Sequence, residues 1–314
     1  MGKIIAIAGP TASGKTSLSI GLAKKYNGEI ISADSMQFYR EMNIGTAKPD
    51  MAERDGVVHR MIDILDITES FSVSDFCERC EREVEEVLSL GKLPIMCGGT
   101  GFYVDSFLDG IKFGQFENDP ELRERLNLEL SEVGIDAMYD RLCAVDPNNT
   151  VDRHNPKRVL RALEVYELTG KTLAEWNAES RLEPPKHDSL IIGLRFEDRE
   201  KLYERINLRV DMMMDAGLLD EVRRLASMGL ASTVTAGQAI GYKEFYPYLD
   251  GAASLDECVD KLKQESRKYA KRQMTWFRRN PRIKWITLDG RSSKDVIDEA
   301  SCLVDEFLGI NILS

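Results

Sequence analysis

The segment that most constrains this chain is GPTASGKT at residues 9–16, which directly follows the apolar run at residues 4–8. It has the pattern of a phosphate-binding loop: a glycine, four residues, then Gly-Lys-Thr. Such a loop needs a strand before it and a helix after it, because its backbone N–H groups must face an anion at the helix N-terminus. The sequence therefore predicts a strand–loop–helix unit that holds a phosphate group.

The residues of this loop have predicted tasks in holding that phosphate. Gly9 and Gly14 let the backbone turn, Lys15 neutralises phosphate charge, and Thr16 is the predicted ligand of Mg²⁺. Mg²⁺ is the one cofactor that the sequence predicts. The predicted phosphate-binding residues are Gly9, Pro10, Thr11, Ala12, Ser13, Gly14, Lys15 and Thr16.

The rest of the chain alternates short apolar runs with amphipathic helical segments, which is typical of a parallel sheet flanked by helices. We therefore predict an α/β fold of the P-loop NTPase-like type. The predicted strands are 3–8, 29–33, 93–97, 189–196 and 283–288, and the predicted helices are 14–25, 74–90, 198–216, 218–228, 254–279 and 292–308.

The character of the sequence changes between Gly110 and Lys186, where charged helical segments follow one another without a β-rich run. Asn155 as N-cap, Pro156 in the first turn and Gly170 after the last turn delimit the best-defined helix there. We predict a catalytic core formed by residues 1–110 and 187–314, and an inserted helical domain at 111–186.

Charge is distributed unevenly along the chain. The net charge is −11, yet residues 261–284 contain ten Lys or Arg and one Glu. An acidic protein repels nucleic acid on average, but a segregated basic segment can still bind a phosphate backbone.

Membrane insertion and export are not expected. No apolar run approaches the ~20 residues that a membrane-spanning helix needs. The six cysteines are scattered, and without an export signal they indicate reduced thiols in a cytoplasmic protein.

Residues beyond the loop limit the reaction class. An Asn-Lys-x-Asp segment, which reads guanine in GTPases, is absent, and the third strand ends in Cys97, Gly98 and Gly99 where a hydrolase would place an aspartate. The second strand instead ends at Asp34, so this carboxylate is predicted to face the same crevice as the loop. Asp34 could accept a proton there, or it could only cap a helix or support Mg²⁺ indirectly.

The three residues after Asp34 extend this prediction. Met36 offers an apolar face, and Gln37 has the donor and acceptor that could recognise an adenine edge. Ser35 lies between Asp34 and Met36 in the sequence.

Together, seven segments resemble, in order, those of the tRNA dimethylallyltransferases, also called tRNA isopentenyltransferases. Any one of them is ordinary, whereas seven in the same order are specific. One departure is VVHRMIDI, where the family usually has two adjacent histidines and this chain has His59 and Arg60, so we assign no role there. The segments are GPTASGKT, SADSMQFYREMNIGTAKP, PIMCGGTGFYVDSFLDG, RHNPKRVLRALEVYELTGK, RINLRVDMMMDAGLLDEV, AIGYKEFYPYL and YAKRQMTWFRR.

This resemblance implies what the loop holds and which residues act. The loop would bind the diphosphate of dimethylallyl diphosphate, which is released while the dimethylallyl group passes to N6 of the adenosine 3′ to the anticodon. Lys15 and Arg209 would stabilise the leaving diphosphate, Asp34 would remove the N6 proton, and Thr100 would lie near the acceptor base. From the sequence alone, Arg209 is equally well an ordinary residue of a helix.

The resemblance also implies the tRNA contacts of a protein expected to be monomeric. The adenosine would leave its stack and enter a channel beside Asp34. Arg158 and Arg161, one helical turn apart, would contact tRNA from the inserted domain. The tRNA-binding residues implied are Asp34, Ser35, Met36, Gln37, Arg158, Val159, Leu160, Arg161, Ala162, Lys271 and Arg272.

Other readings stay open at this stage. An adenylate isopentenyltransferase acting on free AMP, ADP or ATP would share the loop and Asp34 but would not need the insertion or the basic segment. A P-loop nucleoside kinase explains the fold but not the Asp-Ser-Met-Gln segment. A non-catalytic phosphate-binding regulator leaves Lys15, Thr16 and Asp34 unexplained.

Overall fold

The structure, a computed structural model, describes residues 2–112, 119–180 and 183–310. The chain divides into two compact units. One consists of Met1–Leu108 and Lys186–Ser314, and the other of Asp109–Pro185. These boundaries lie within two residues of those predicted from the change in sequence character.

The larger unit is built on a six-stranded sheet with the order β3-β2-β4-β1-β5-β6. Every neighbouring pair of strands runs parallel. The predicted parallel α/β fold is therefore confirmed. The strands are β1 (Lys3–Ala8), β2 (Gly28–Ser32), β3 (His59–Arg60), β4 (Leu93–Cys97), β5 (Asp188–Arg195) and β6 (Ile283–Thr287).

Helices cover both faces of this sheet. Single 3₁₀ turns at Leu230–Ser232, Ala236–Gln238 and Lys243–Phe245 connect α9 to α10. The helices of the larger unit are α1 (Lys15–Lys25), α2 (Met51–Arg54), α3 (Val73–Ser89), α4 (Gly101–Leu108), α8 (Arg199–Asp215), α9 (Leu218–Ser227), α10 (Tyr246–Leu249), α11 (Leu255–Phe277) and α12 (Ser293–Leu308); α5, α6 and α7 belong to the smaller unit.

Alternation along β1 explains why the sheet is covered on both sides. Ile4 and Ala6 belong to one buried cluster, whereas Ile5 and Ile7 belong to another. Successive side chains of a strand point to opposite faces, so a strand of continuous apolar residues supports a core on each side. The position of β1 inside the sheet, between β4 and β5, places the phosphate-binding loop at the carboxyl ends of the central strands.

Capping residues that the sequence predicted lie at the observed ends of two helices. Ser254 and Glu257 form the predicted capping box of α11. In the smaller unit, the Asn155 side chain accepts a hydrogen bond from the Arg158 N–H, and Gly170 ends α6 in a left-handed conformation. These side chains satisfy backbone groups that a helix end leaves without partners.

The smaller unit is helical and has its own core. Its helices are α5 (Pro120–Val145), α6 (Pro156–Thr169) and α7 (Leu173–Glu179). Non-helical backbone at Gly134 (φ 79°, ψ 169°) divides α5 into two segments. The buried residues of this core are Leu122, Leu126, Met138, Leu142, Val159, Ala162 and Leu163.

The short strand β3 was not predicted, and it contains Arg60, where the sequence departs from the family pattern. Arg60 Nε donates to Glu29 Oε2 at 2.6 Å, and its Nη1 lies 2.9 Å from a Glu83 carboxylate oxygen. Glu29 is a buried carboxylate on β2, and Lys92 is its second cationic partner at 2.7 Å. A buried charge is costly unless it is paired, so Arg60 has a structural task on this face.

Among the residues described, no helix combines the length and the apolar character that crossing a membrane requires.

Candidate active site

The phosphate-binding loop adopts the conformation that its glycine pattern predicts. Ala12 (φ 61°) and Gly14 (φ 84°) both take left-handed backbone conformations before α1 begins at Lys15. Gly14 is the N-cap of α1 and offers no side-chain cap, and the first N–H groups of a helix have no intrahelical acceptor. These N–H groups and the positive end of the helix dipole are therefore available to an anion.

Lys15 lies across this loop. Its Nζ donates a hydrogen bond to the Pro10 carbonyl at 2.7 Å. Burial lowers the pKa of Lys15 from 10.5 to about 8, and Arg209 acts in the same direction, whereas Cys97 and Asp34 oppose the change. A bound diphosphate would compensate the desolvation that lowers this pKa.

Asp34 follows β2 in a tight turn. Its Oδ1 accepts a hydrogen bond from the Met36 N–H at 3.1 Å, and its carbonyl accepts one from the Gln37 N–H at 3.1 Å. Burial raises the pKa of Asp34 above its ordinary value, although the Met36 N–H, Lys15 and Arg209 oppose this effect. A half-buried carboxylate with a raised pKa is better matched to accepting a proton than a solvated one.

Thr100 joins the turn after β2 to the loop after β4. Its Oγ1 accepts a hydrogen bond from the Ser35 N–H at 3.2 Å and donates to Ser35 Oγ at 3.4 Å. Thr100 is thus directly linked to the residue that follows Asp34.

Two arginines of α8 contact the phosphate-binding loop. Arg209 Nη1 donates to Thr11 Oγ1 at 3.2 Å, and Arg205 Nε donates to the Ala12 carbonyl at 3.0 Å. Burial lowers the pKa of Arg209, while Asp34 opposes that change. The alternative that Arg209 is an ordinary solvated helix residue does not hold, because its guanidinium is bonded to the loop.

Gln37 has its carboxamide engaged within the protein. Ser32 Oγ donates to Gln37 Oε1 at 3.2 Å, and Gln37 Nε2 donates to the Thr46 and Ala47 carbonyls at 3.4 Å. Recognition of an adenine edge by Gln37 would require these bonds to exchange. The prediction that Gln37 binds the base therefore requires Gln37 to give up its present hydrogen bonds.

The chain segment just before the carbonyl groups that bind Gln37 is held by a buried carboxylate on α9. Glu221 accepts hydrogen bonds from the N–H groups of Asn43, Ile44 and Gly45 at 3.0–3.2 Å, and from the Tyr242 hydroxyl at 2.7 Å. Glu221 and Tyr242 are 7% and 0% exposed. This carboxylate holds residues 43–45 in place as one side of the site.

These elements enclose a cavity of about 320 Å³ within the larger unit. Asp34, Arg209 and Thr11 line it together, so the predicted base, the predicted leaving-group arginine and the phosphate-binding loop face one space. Apolar side chains form much of the remaining wall. They are Met36, Ile206, Val210, Met213, Ala239, Ile240 and Leu262, with polar contributions from Ser35, Thr46, Thr235, Gln238, Lys243, Ser266, Tyr269 and Arg272.

The residues around the loop are compatible with a magnesium ion that also binds the substrate. No group of three or more His, Cys, Asp or Glu suited to a metal is found in the described ranges. Mg²⁺ commonly keeps several waters and takes only one or two protein ligands beside phosphate oxygens. Thr16 lies in the first turn of α1, beside the phosphate-binding loop, and its hydroxyl is a ligand of this kind.

The predicted tRNA-binding residues of the smaller unit lie on α6. Arg158 is exposed, and Arg161 pairs with the buried Glu164 at 2.8 Å. Val159 and Ala162 are buried in the core of this unit, so their side chains can support a tRNA contact only by positioning the arginines.

The two predicted basic residues of α11 differ in position. Arg272 is exposed, lines the cavity and lies over the Tyr269 ring at 5.6 Å. Lys271 is exposed but is not among the residues that line the cavity.

Sequence reasoning missed two residues of the site. Tyr269 received no role, but it lines the cavity, and its neighbours include Asp34 and Thr100. Gln273, a buried amide in the basic helix, received no role. A polar residue on the apolar face of α11 was the available signal.

A family model described as IPP transferase matches residues 37–280. A tRNA dimethylallyltransferase of Acetivibrio thermocellus is 48% identical over 299 residues, which are 95% of this chain and 95% of that protein. The match is therefore not confined to the phosphate-binding loop.

Solved structures agree with this comparison. The full-length tRNA isopentenylpyrophosphate transferase of Bacillus halodurans is 41% identical, with a TM-score of 0.75 over 98% of this chain and 97% of its own. A eukaryotic dimethylallyltransferase acting on tRNA is 30% identical, with a TM-score of 0.86 over 100% of this chain and 81% of its own. The chain therefore belongs to the IPP transferase family, the family of the tRNA dimethylallyltransferases.

Proposed function

We propose that this protein transfers a dimethylallyl group from dimethylallyl diphosphate to N6 of the adenosine 3′ to the anticodon in tRNA and releases diphosphate. The observation that carries the proposal is the shared cavity, in which Asp34 faces the phosphate-binding loop and Arg209. This arrangement offers an anion site for a leaving group and a carboxylate for a proton at one cavity. Similarity to proteins named tRNA dimethylallyltransferase supports the dimethylallyl group and the tRNA acceptor in this proposal.

The leaving diphosphate is stabilised by the loop and two cations. Cleavage of the allylic C–O bond places negative charge on the diphosphate, and the N–H groups at the start of α1 are already oriented toward that charge. Lys15 and Arg209 add positive charge, and burial lowers the pKa of both groups. Preorganised donors of this kind typically contribute more than they would in water.

Mg²⁺ is part of this proposal as a companion of the diphosphate. Thr16 is the residue that would hold it with the substrate. The ion would neutralise charge on the leaving diphosphate.

The apolar part of the cavity suits the five-carbon group. Ile206, Val210 and Met213 are on α8, and Leu262 faces them from α11. An apolar wall binds a prenyl chain by removing apolar surface from water, and it keeps water from the electron-deficient carbon.

Asp34 is the proposed acceptor of the N6 proton. The N6 lone pair is delocalised into the adenine ring, so removal of a proton makes the nitrogen a better nucleophile. The reactive adenosine must leave its stack, at a cost of a few kcal/mol, to reach the cavity. Thr100 fixes the turn beside Asp34 through Ser35.

The remaining assignments concern the partner and the cell. The tRNA would contact Arg158 and Arg161 of the smaller unit and the basic residues Lys271 and Arg272 of α11. We propose that the protein acts as a monomer and in the cytoplasm, where its tRNA substrate and reduced thiols are found.

One labelling experiment tests this function against its alternatives. The protein, Mg²⁺ and labelled dimethylallyl diphosphate are mixed with unmodified tRNA or with AMP, and the label is followed into each acceptor. Label in tRNA alone supports the proposal, and label in AMP alone supports an adenylate isopentenyltransferase. Label transfer from γ-labelled ATP to adenosine would identify a nucleoside kinase instead.

A further inference from the structure

One buried amide joins the two parts of the active site. Gln273 is 5% exposed on α11. Its Oε1 accepts a hydrogen bond from the Thr11 N–H at 2.8 Å, and its Nε2 donates to the Gly99 carbonyl at 2.9 Å. A single side chain therefore connects the phosphate-binding loop to the loop after β4.

Each end of this connection leads to a proposed functional residue. Thr11 also accepts a hydrogen bond from Arg209 through its hydroxyl, at 3.2 Å. Gly99 precedes Thr100, which holds the turn that contains Asp34 through the Ser35 N–H. Gln273 thus lies between the groups for the leaving diphosphate and the groups for the acceptor adenine.

The close approach to Gly99 depends on the absence of a side chain there. A Cβ at this position would lie 2.1 Å from Gln273 Nε2, which is well inside any real contact. The glycine therefore allows the amide to reach the backbone of this loop.

Packing of α11 fixes the position of Gln273. Ala270, Met274 and Phe277 are buried on the same side of α11, at the spacing that places residues on one helical face. A carboxamide is the one neutral group of this size with both a donor and an acceptor at its tip. A methionine side chain of similar size would leave both backbone partners without a hydrogen bond.

We propose that Gln273 is a positioning residue that sets the distance between the diphosphate site and the Asp34–Thr100 site. This inference rests on the proposed prenyl transfer. Gln273 is not among the residues that line the cavity, so its loss should slow the chemical step more than it weakens binding. Misplacement of reacting groups by about 1 Å can cost on the order of 10²-fold in rate.

The test compares Gln273→Met and Gln273→Asn with wild type. Asparagine keeps the carboxamide but is one methylene shorter, so it cannot reach both Thr11 and Gly99. Gln264→Met is the matched control, because Gln264 is an exposed glutamine on the same helix. Single-turnover rates are measured with prebound unmodified tRNA and saturating dimethylallyl diphosphate, and the Kd values of diphosphate and tRNA are measured separately.

We expect the single-turnover rate to fall roughly 30- to 100-fold in Gln273→Met and at least about tenfold in Gln273→Asn. Both Kd values should stay within about threefold of wild type, and Gln264→Met should match wild type. Circular dichroism checks folding, and Gln273→Asn decides the matter if the methionine variant does not fold.

Two results would overturn this inference while leaving the proposed function intact. One is a folded variant whose single-turnover rate stays within about threefold of an active wild type. The other is a loss confined to the Kd values. A wild type that transfers no label to tRNA would instead overturn the proposed function, and this inference with it.

Discussion

At the scale of single residues, burial moves the two central ionisable groups toward their neutral forms. It lowers the pKa of Lys15 to about 8 and raises the pKa of Asp34. Substrate binding then changes protonation, because the diphosphate favours the charged form of Lys15.

The lowered pKa of Lys15 predicts proton uptake at this residue when diphosphate binds. With a pKa of about 8, Lys15 is largely neutral in the free protein at pH 8.5, and a bound anion raises that pKa toward or above 10.5. Calorimetric titration with diphosphate at pH 8.5, in two buffers of different ionisation enthalpy, should show uptake of roughly half a proton or more from this group.

Lys15→Arg is the control for the titration of diphosphate itself, because the guanidinium stays charged throughout this range. Wild type should take up more protons than this variant by the stated amount. Equal proton counts for the two proteins would contradict the lowered pKa of Lys15.

At the scale of elements, periodicity and capping signals predicted six helices of the larger unit and five of the strands within two residues, but α2, α4 and α10 were not predicted. These signals are local, so they can be read from neighbouring residues. The strand β3 has only two residues, His59 and Arg60, and is too short to show a period. The ion-pair partners of Arg60 lie on β2 and α3, and only the folded chain brings them beside it.

The long-range support of residues 43–45 was also beyond sequence reasoning. Glu221 bonds backbone groups that are more than 170 residues away in the sequence. Bonds from a side chain to a distant backbone leave no periodic signal. The sequence therefore did not indicate this support, although Gly45 lines the cavity.

We predict that Glu221→Gln destabilises the protein. The substitution keeps the size of the side chain but replaces a carboxylate oxygen with a donor that faces backbone N–H groups. Leaving such buried donors without acceptors should lower the free energy of unfolding by about 2–3 kcal/mol. Urea denaturation followed by circular dichroism measures this loss.

Two further variants serve as comparisons for the stability of Glu221→Gln. Tyr242→Phe removes one of the donors to Glu221 and should cost about 1 kcal/mol. Asp220→Asn changes the neighbouring side chain, which is 82% exposed, and should stay within about 0.5 kcal/mol of wild type. A Glu221→Gln protein as stable as Asp220→Asn would show that this carboxylate does not hold the loop.

At the scale of the whole molecule, the sequence predicted the parallel fold and the family, and three of its predicted site residues, Thr11, Asp34 and Arg209, line one cavity. The phosphate-binding loop and Asp34 could be placed because both follow strands of one parallel sheet. The roles of Gln273 and Tyr269 could not, since a helix remote in sequence carries them into the site. The charge of residues 261–284 was readable from composition alone.

The segregated charge predicts a steep salt dependence of tRNA binding despite the net charge of −11. Each phosphate neutralised by Lys or Arg contributes about −0.7 to −0.9 to the slope of log K against log salt concentration. The Lys271→Ala, Arg272→Ala double variant should reduce the steepness of that slope by about 1 to 2. Filter binding of tRNA between low and moderate salt measures both slopes.

Lys294→Ala serves as the control, because Lys294 is an exposed lysine on α12, outside the basic segment. Its slope should equal that of wild type. A wild-type affinity that does not change with salt would refute electrostatic binding by this surface.

The central claim is that Asp34 accepts the N6 proton, and Asp34→Asn tests it most directly. Asparagine keeps the size of the side chain and an oxygen for the Met36 N–H, but it cannot take a proton at neutral pH. Single-turnover rates are measured with prebound tRNA and saturating dimethylallyl diphosphate, which separates chemistry from binding and product release. We predict that the rate falls by about 10²- to 10⁴-fold while tRNA affinity changes little. A rate within about threefold of wild type would contradict this assignment, since a turn or cap residue loses little when Asp becomes Asn.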